Sequence, residues 1–242
     1  MNPVSQFLRR FVRSRRYGVA FRGVARTSLP DRIRFSGKYR HVRIPQDPLH
    51  IADFINVILD DDYGVRSTTG DVKTIVDIGA NVGLFTSLAR EQFPDAVIHS
   101  YEPSPFTAAY ARDNTRHPLT TLYEEGVAAK DSRANMVELG VSTLAQTIAA
   151  DEGSITLTSF AKVLERAGGR IDLLKVDCEG AEWDFMTGAD QFRQVGQIRM
   201  EYHLVGNRTL NDLHAMAKGI GFEVCKLQPN DGFGIAWLKP VS

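Results

Sequence analysis

The chain has 242 residues, 29 basic and 29 acidic side chains, 43% hydrophobic residues and two cysteines. This composition excludes collagen-like, low-complexity and disulfide-stapled classes, and the length suits one well-filled core with an appended segment. Cys178 and Cys225 have no paired spacing, which argues against a zinc knuckle or a redox dithiol. Scattered thiols, no long apolar run and no apolar signal core lead to the expectation of a soluble, cytoplasmic protein without a transmembrane segment.

The neutral total hides an asymmetry. Residues 1–43 hold eleven arginines and Lys38 against the single acid Asp31, giving +11, and the remainder carries −11. Phe7, Leu8, Phe11 and Val12 recur at helical spacing among Arg9, Arg10, Arg13, Arg15 and Arg16, so a short basic amphipathic helix is predicted. Such a segment reads as a solvated arm, as a helix docked on the acidic body, or as a surface for anionic lipid, nucleic acid or substrate. Its acid-poor, arginine-rich start is also similar to an organelle transit peptide.

His41 to Pro45 is predicted as a short strand, and Pro45 and Pro48 break the chain before a helical run from Leu49 to Leu59. Asp60, Asp61, Asp62 and Gly64 end that helix, and consecutive acids at a helix exit are expected to be solvated. From residue 73 short apolar runs alternate with helical segments, the pattern of a mostly parallel sheet covered on both faces. Strands are predicted at 74–78, 97–101, 119–123, 171–177, 197–202, 222–227 and 233–238, with the last two joined as an antiparallel hairpin through Pro229 to Gly232. Helices are predicted near 83–92, 105–116, 158–167, 181–190 and 209–219. The stretch 125–157 stays open between a strand, loops and a lid.

The first strand ends in Asp77, Ile78, Gly79, Ala80, Asn81, Val82 and Gly83. Two glycines permit a tight turn and the close approach of a ligand to a helix N-terminus, but the spacing is not the GxGxxG of pyrophosphate binding. An acid at the strand end would repel a pyrophosphate and attract an ammonium. The second strand ends in Glu102, followed by Pro103, about twenty residues on, the spacing at which a carboxylate accepts ribose hydroxyls. A ligand with a ribose, an ammonium and a carboxylate but no pyrophosphate describes S-adenosylmethionine.

At this point the chain resembles the class I methyltransferase fold and, more narrowly, the FkbM family of S-adenosylmethionine-dependent methyltransferases. The resemblance rests on DIGANVG (Asp77 to Gly83), YEPSP (Tyr101 to Pro105), Asn114, Gly126 to Ala128 and LLKVDCEGAEWDF (Leu173 to Phe185). The lead-in Thr156 to Phe160 also looks like the family's, although Thr158 stands where the family usually has aspartate. The resemblance implies an α/β, Rossmann-like seven-stranded sheet, mostly parallel with an antiparallel last strand, and methylation of a hydroxyl on a sugar or secondary metabolite. The resemblance covers about residues 48–204 and extends loosely to the terminal hairpin; with the charge asymmetry, the expected division is a basic extension, 1–44, and a methyltransferase domain, 45–242. The resemblance further implies that Asp77, Gly79, Asn81 and Gly83 hold the methionine end and that Glu102, with Pro103 beside it, holds the ribose. Gly126, Val127 and Ala128 would lie near the adenine, and Asp177 near the transferred methyl.

An alcohol is a poor nucleophile at neutral pH, so a base or a metal should assist its methylation. Asp177 and Glu179 should project at the mouth of one strand, and alternation puts Glu201 and His203 on the same side of another. That pair suits a carboxylate-oriented general base or, with Asp177, an oxygen and nitrogen site for a divalent metal. Glu182 is expected to serve a helix dipole and Cys178 to be a small core hydrophobe. Trp183, Phe185, Tyr202 and Phe233 are candidates to stack on a ring. The absence of an Asn-Pro-Pro-Tyr motif and of paired catalytic cysteines favours an oxygen acceptor. Two alternatives differ in class: an RNA methyltransferase whose arginine arm tracks phosphates, and a nicotinamide-dependent dehydrogenase, which the missing third glycine disfavours. The oligomeric state has no signature in the sequence.

Overall fold

The computed structural model describes residues 2–138, 145–149 and 152–241. Helix α1 (Pro3–Arg16) starts where Asn2 accepts the Val4 amide and Pro3 supplies a helical φ. A hairpin follows, β1 (Arg32–Phe35) with β2 (Lys38–His41). The strand predicted at 41–45 therefore lies earlier. The Arg43 amide is taken by the Asn114 side chain and Pro45 has no N–H, so the ladder stops at His41.

Helix α2 (Pro48–Asp53), capped by Asp47, widens into a π-helical stretch, Phe54–Asp60. The acids that follow are not solvated. Asp60 accepts two nitrogens of Arg10, at 2.9 and 2.5 Å, and Asp61 accepts the Val65 and Arg66 amides. Burial lifts the Asp62 carboxyl to about 6. The arginines of α1 supply partners that local spacing could not reveal, and Arg13 also donates to the Leu59 carbonyl at 2.6 Å. Of the three readings of the basic segment, the helix docked on acidic residues is the arrangement observed.

The remaining elements alternate in the expected order: β3 (Thr74–Ile78), α3 (Leu84–Gln92), β4 (Val97–Tyr101), α4 (Pro105–Asn114) and β5 (Thr120–Tyr123). The open stretch becomes β6 (Gly126–Ala128), β7 (Ser132–Glu138), β8 (Ala145–Ala149) and β9 (Ile155–Ser159), a separate sheet in the order β6-β9-β7-β8. Then come α5 (Phe160–Arg166), β10 (Leu173–Val176), α6 (Glu182–Phe185), α7 (Ala189–Phe192), β11 (Ile198–His203), α8 (Leu210–Gly219), β12 (Phe222–Pro229) and β13 (Phe233–Pro240). The predicted helix at 181–190 is two short ones, because Gly188 at φ +80° breaks it.

The central sheet runs β12-β13-β11-β10-β3-β4-β5, parallel except for β13, which is antiparallel to both neighbours. This is the Rossmann-like arrangement expected. Its strands alternate between two apolar layers. Ile75, Ile98 and Leu173 pack on one face with α3 and the π-helical stretch, while Val76, Leu174 and Ile198 pack on the other with Phe160, Phe192 and Leu213. Tyr17, Phe21, Ile33 and Phe35, from the first 44 residues, belong to the first layer. No helix among the described residues is long and apolar enough to cross a membrane.

Candidate active site

The parallel strands β3, β4 and β10 end together, which is where an open sheet leaves a crevice. After β3 the chain turns through Gly79 (φ +75°), Asn81 (φ +50°) and Gly83 (φ +82°) into α3. The Gly79 and Ala80 amides both donate to the Tyr101 carbonyl at 2.9 Å, which fastens the turn to the end of β4. A Cβ on Gly79 would fall 1.7 Å from the Asp177 carbonyl oxygen, so the turn and the end of β10 meet only because this residue has no side chain.

Glu102, at the end of β4, accepts the Asn81 amide at 2.7 Å and the Ser104 amide at 2.9 Å. Burial raises its carboxyl above the ordinary value, and those amides and the Thr107 hydroxyl pull the other way. The two amides and the Thr107 hydroxyl use three of the carboxylate's four lone pairs, which leaves one for a further hydroxyl. The Asn81 side chain donates to Asp53 at 3.0 Å, while its own Oδ1 is a buried acceptor without a partner among the described residues.

A cleft open to solvent lies here, with polar groups converging on an apolar wall, as small-molecule sites have. Gly79, Asn81, Glu102, Pro103, Gly126, Val127 and Asp177 all face it, and Tyr101, Met136 and Leu157 add apolar wall. Asp77, Gly83 and Ala128 do not line it. Gly83 packs against Thr115, where a Cβ would sit 2.5 Å from a methyl, and Ala128 lies buried in β6. Asp77 is buried under the turn, accepts the Thr86 hydroxyl at 2.7 Å and lies 3.3 Å from the Lys175 ammonium. The ammonium it attracts in this structure is that of Lys175.

Lys175 was not singled out by the sequence, yet it joins the two halves of the site. Its Nζ, 3% exposed as a side chain, donates to the Gly79 carbonyl at 2.5 Å and lies 3.5 Å from Asp177. Burial lowers its pKa, and Asp77 and Asp177 outweigh that, so the net shift is upward. Tyr63, from the segment before β3, donates to Asp177 at 2.8 Å and presents its ring to Lys175 at 5.5 Å.

Asp177 is also one corner of an acidic cluster. Its carboxylate, that of Glu201 and a ring nitrogen of His203 lie within 4.8 Å of one another, and His203 Nε2 is 3.3 Å from Glu179 and 3.7 Å from Glu201. Alternation along β11 therefore does bring Glu201 and His203 together. Burial and then the neighbouring Asp177 raise the Glu201 carboxyl, and burial is again first among the causes that lift Asp53 and Glu179 to about 7. Burial lowers His203, but Glu182, Glu179 and Asp177 overcome it and push it up to about 9. The carboxylates around it therefore favour the charged, donating form of the imidazole.

Glu182 does something other than serve a dipole, since α6 has only four residues. Its buried carboxylate accepts the Gly180 amide at 2.8 Å and the His203 amide at 2.8 Å, tying the turn after β10 to the end of β11. Burial and Glu182 push the Cys178 thiol well up, which suits an inert packing group. Phe185 and Tyr202 are core residues. Trp183 donates to the His203 carbonyl at 2.7 Å, and Phe233, 37% exposed, stacks on the His203 ring at 6.3 Å.

The family model described as the methyltransferase FkbM domain matches residues 77–225. The 31-O-demethyl-FK506 methyltransferase FkbM of Streptomyces tacrolimicus is 26% identical over 201 residues, covering 67% of this chain and 76% of that protein. Methyltransferase 1 of Beauveria bassiana (strain ARSEF 2860) is 24% identical over 193 residues, covering 67% and 77%. Among solved structures, a ribosomal protein L11 methylase from Lactobacillus delbrueckii subsp. bulgaricus superposes with a TM-score of 0.48 at 11% identity, covering 74% of this chain and 75% of that one.

Proposed function

Because the chain belongs to the FkbM methyltransferase family, we propose that it moves a methyl group from S-adenosylmethionine to a hydroxyl of a sugar or small metabolite. One observation carries the oxygen specificity: Asp177 belongs both to the cleft and to the carboxylate and imidazole cluster at its mouth. An alcohol needs such groups, because it must lose its proton as it attacks. The relative named for 31-O-demethyl-FK506 supports the same reading.

The cleft fits the cofactor on its own chemistry. The remaining lone pair of Glu102 would accept a ribose hydroxyl, the orphaned Oδ1 of Asn81 would accept the ammonium, and the apolar wall of Val127, Met136 and Leu157 would cover the adenine. When bound, S-adenosylmethionine supplies an electrophilic methyl on a sulfonium. Asp177, held by Tyr63 and Lys175, would orient the acceptor, and a carboxylate, Glu201 or Glu179, would take its proton. The His203 imidazolium would stabilise the oxygen as its proton leaves. Phe233 and Trp183, at the His203 end, would flank the acceptor ring. With the His203 imidazole neutral, the donor set of Asp177, Glu201 and His203 would instead suit a divalent cation, which would displace the imidazole proton and lower the acceptor's pKa.

The test is calorimetric titration with S-adenosylhomocysteine, with and without Mg²⁺. It is followed by incubation with S-adenosylmethionine and a panel of hydroxylated sugars and metabolites, with products read by mass and by new O-methyl resonances. Micromolar binding and a methyl ether product are expected, with turnover falling at least about a hundredfold in Glu201→Gln. Folded protein that does not bind the homocysteine, or that methylates only RNA or amines, would overturn the reading.

A further inference from the structure

Helix α1 is docked with its polar side inward. Arg9, Arg10 and Arg13 face Asp60 and the carbonyls of Leu59 and Asp60, and Ser14 is buried. The opposite side of the helix carries Val4, Leu8, Phe11 and Val12, which are 65%, 55%, 36% and 67% exposed. A helix that only covers its own domain turns the apolar stripe to the core. Here the acids of the body hold the arginines and fix the apolar stripe toward solvent. We propose that this face lies on a membrane surface containing anionic lipid, with α1 in the plane of the interface.

The cations around the stripe identify the occupant. Arg15 lies over the Phe11 ring at 4.9 Å, and Arg16, Arg22 and Arg26 are exposed nearby in the chain. Among the described residues Arg15, Arg22 and Arg26 form no ion pair, although the chain as a whole is neutral. Hydrocarbon rimmed by guanidinium groups complements acyl chains beneath anionic headgroups. A nucleic acid would call for the arginine side of the helix, and that side is committed to Asp60. A second copy docked on the same face would bring two cationic rims together. The 14 residues of α1 span about 21 Å, too short to cross a bilayer and ample to lie along one.

The experiment is co-sedimentation of the full chain with vesicles of phosphatidylcholine alone and of phosphatidylcholine with phosphatidylglycerol, over a range of salt. Sedimentation with the anionic vesicles, weakened by salt, is expected. The double variant Leu8→Glu/Val12→Glu should partition at least about tenfold more weakly. Both side chains stand in solvent, so its thermal melt and its titration with S-adenosylhomocysteine should match those of the parent chain. Arg22→Gln/Arg26→Gln should narrow the preference for anionic over neutral vesicles. Failure to sediment with either vesicle overturns the proposal. So does self-association in sedimentation velocity that the Leu8→Glu/Val12→Glu variant abolishes without any vesicle binding, and so does vesicle or RNA binding that this variant leaves unchanged.

Discussion

Replacing Lys175 by Met tests whether charge pairing beneath the turn holds the site together. The ammonium is 3.3 Å from Asp77, 3.5 Å from Asp177 and 2.5 Å from the Gly79 carbonyl, and the Asp77 side chain is fully buried. Met fills nearly the same volume, so the loss is electrostatic: a buried carboxylate without its counter-ion, which costs about 3–5 kcal/mol. At about 2–4 °C per kcal/mol for a domain of this size, the melting temperature should fall by about 10–15 °C. Adding Asp77→Asn should recover about half of the loss, because the amide oxygen still accepts the Thr86 hydroxyl at no charge cost. Circular-dichroism melts of the parent, single and double variants at pH 7 provide the readout. A single variant melting within about 3 °C of the parent at pH 7, a loss near 1 kcal/mol, would refute the argument.

Gly79→Ala should cost at least about 3 kcal/mol or prevent folding, since its Cβ would strike the Asp177 backbone at a positive φ; yield and melting temperature decide it. Asp53 and Glu179, both lifted to about 7, should ionise when a sulfonium enters, so S-adenosylmethionine affinity should rise between pH 6 and 8 and that of uncharged S-adenosylhomocysteine should rise less. In the free protein the same two groups add stability that is fully present below their unfolded values near 4 and is lost as pH rises through about 7; calorimetry at three pH values tests the binding slope, and melts test the stability. Asp60→Asn should cost about 2 kcal/mol by releasing Arg10, and amide exchange across Pro3–Arg16 should speed up while that of β3 stays slow.

Strands β3 and β4 were legible to the residue, because both are short apolar runs closed by an acid or glycine. The cofactor turn was legible for a related reason: glycines needed for a close backbone approach leave a spacing that survives in the sequence. Asp60 was hidden because its partner Arg10 lies fifty positions away in α1, and Asp61 because it caps the next turn through the Val65 and Arg66 amides. Asp53 and Tyr63 had the same disguise, each looking like part of a helix or its exit until the fold carries it to Asn81 or Asp177. Lys175 did leave a signal. A cation in the middle of the buried strand Leu173–Val176 must have acids within reach, and two lie at the strand ends beside it. β9 left one too, since Ile155 and Leu157 are buried and Thr156 between them is exposed.

The stretch by which the family is recognised begins at Asp77, whereas the unit that folds begins far earlier. Phe54, Ile55 and Ile58 complete one layer of the core, and Asp53 and Tyr63 reach the site itself. A chain trimmed to the recognisable region would bare a face of its sheet and lose the partners that Asp53 gives Asn81 and Tyr63 gives Asp177. The border has a practical meaning for redesign. The upstream segment has to move with the domain it completes, because Asp53 ties it to the turn after β3 through Asn81, and Tyr63 ties it to the end of β10 through Asp177.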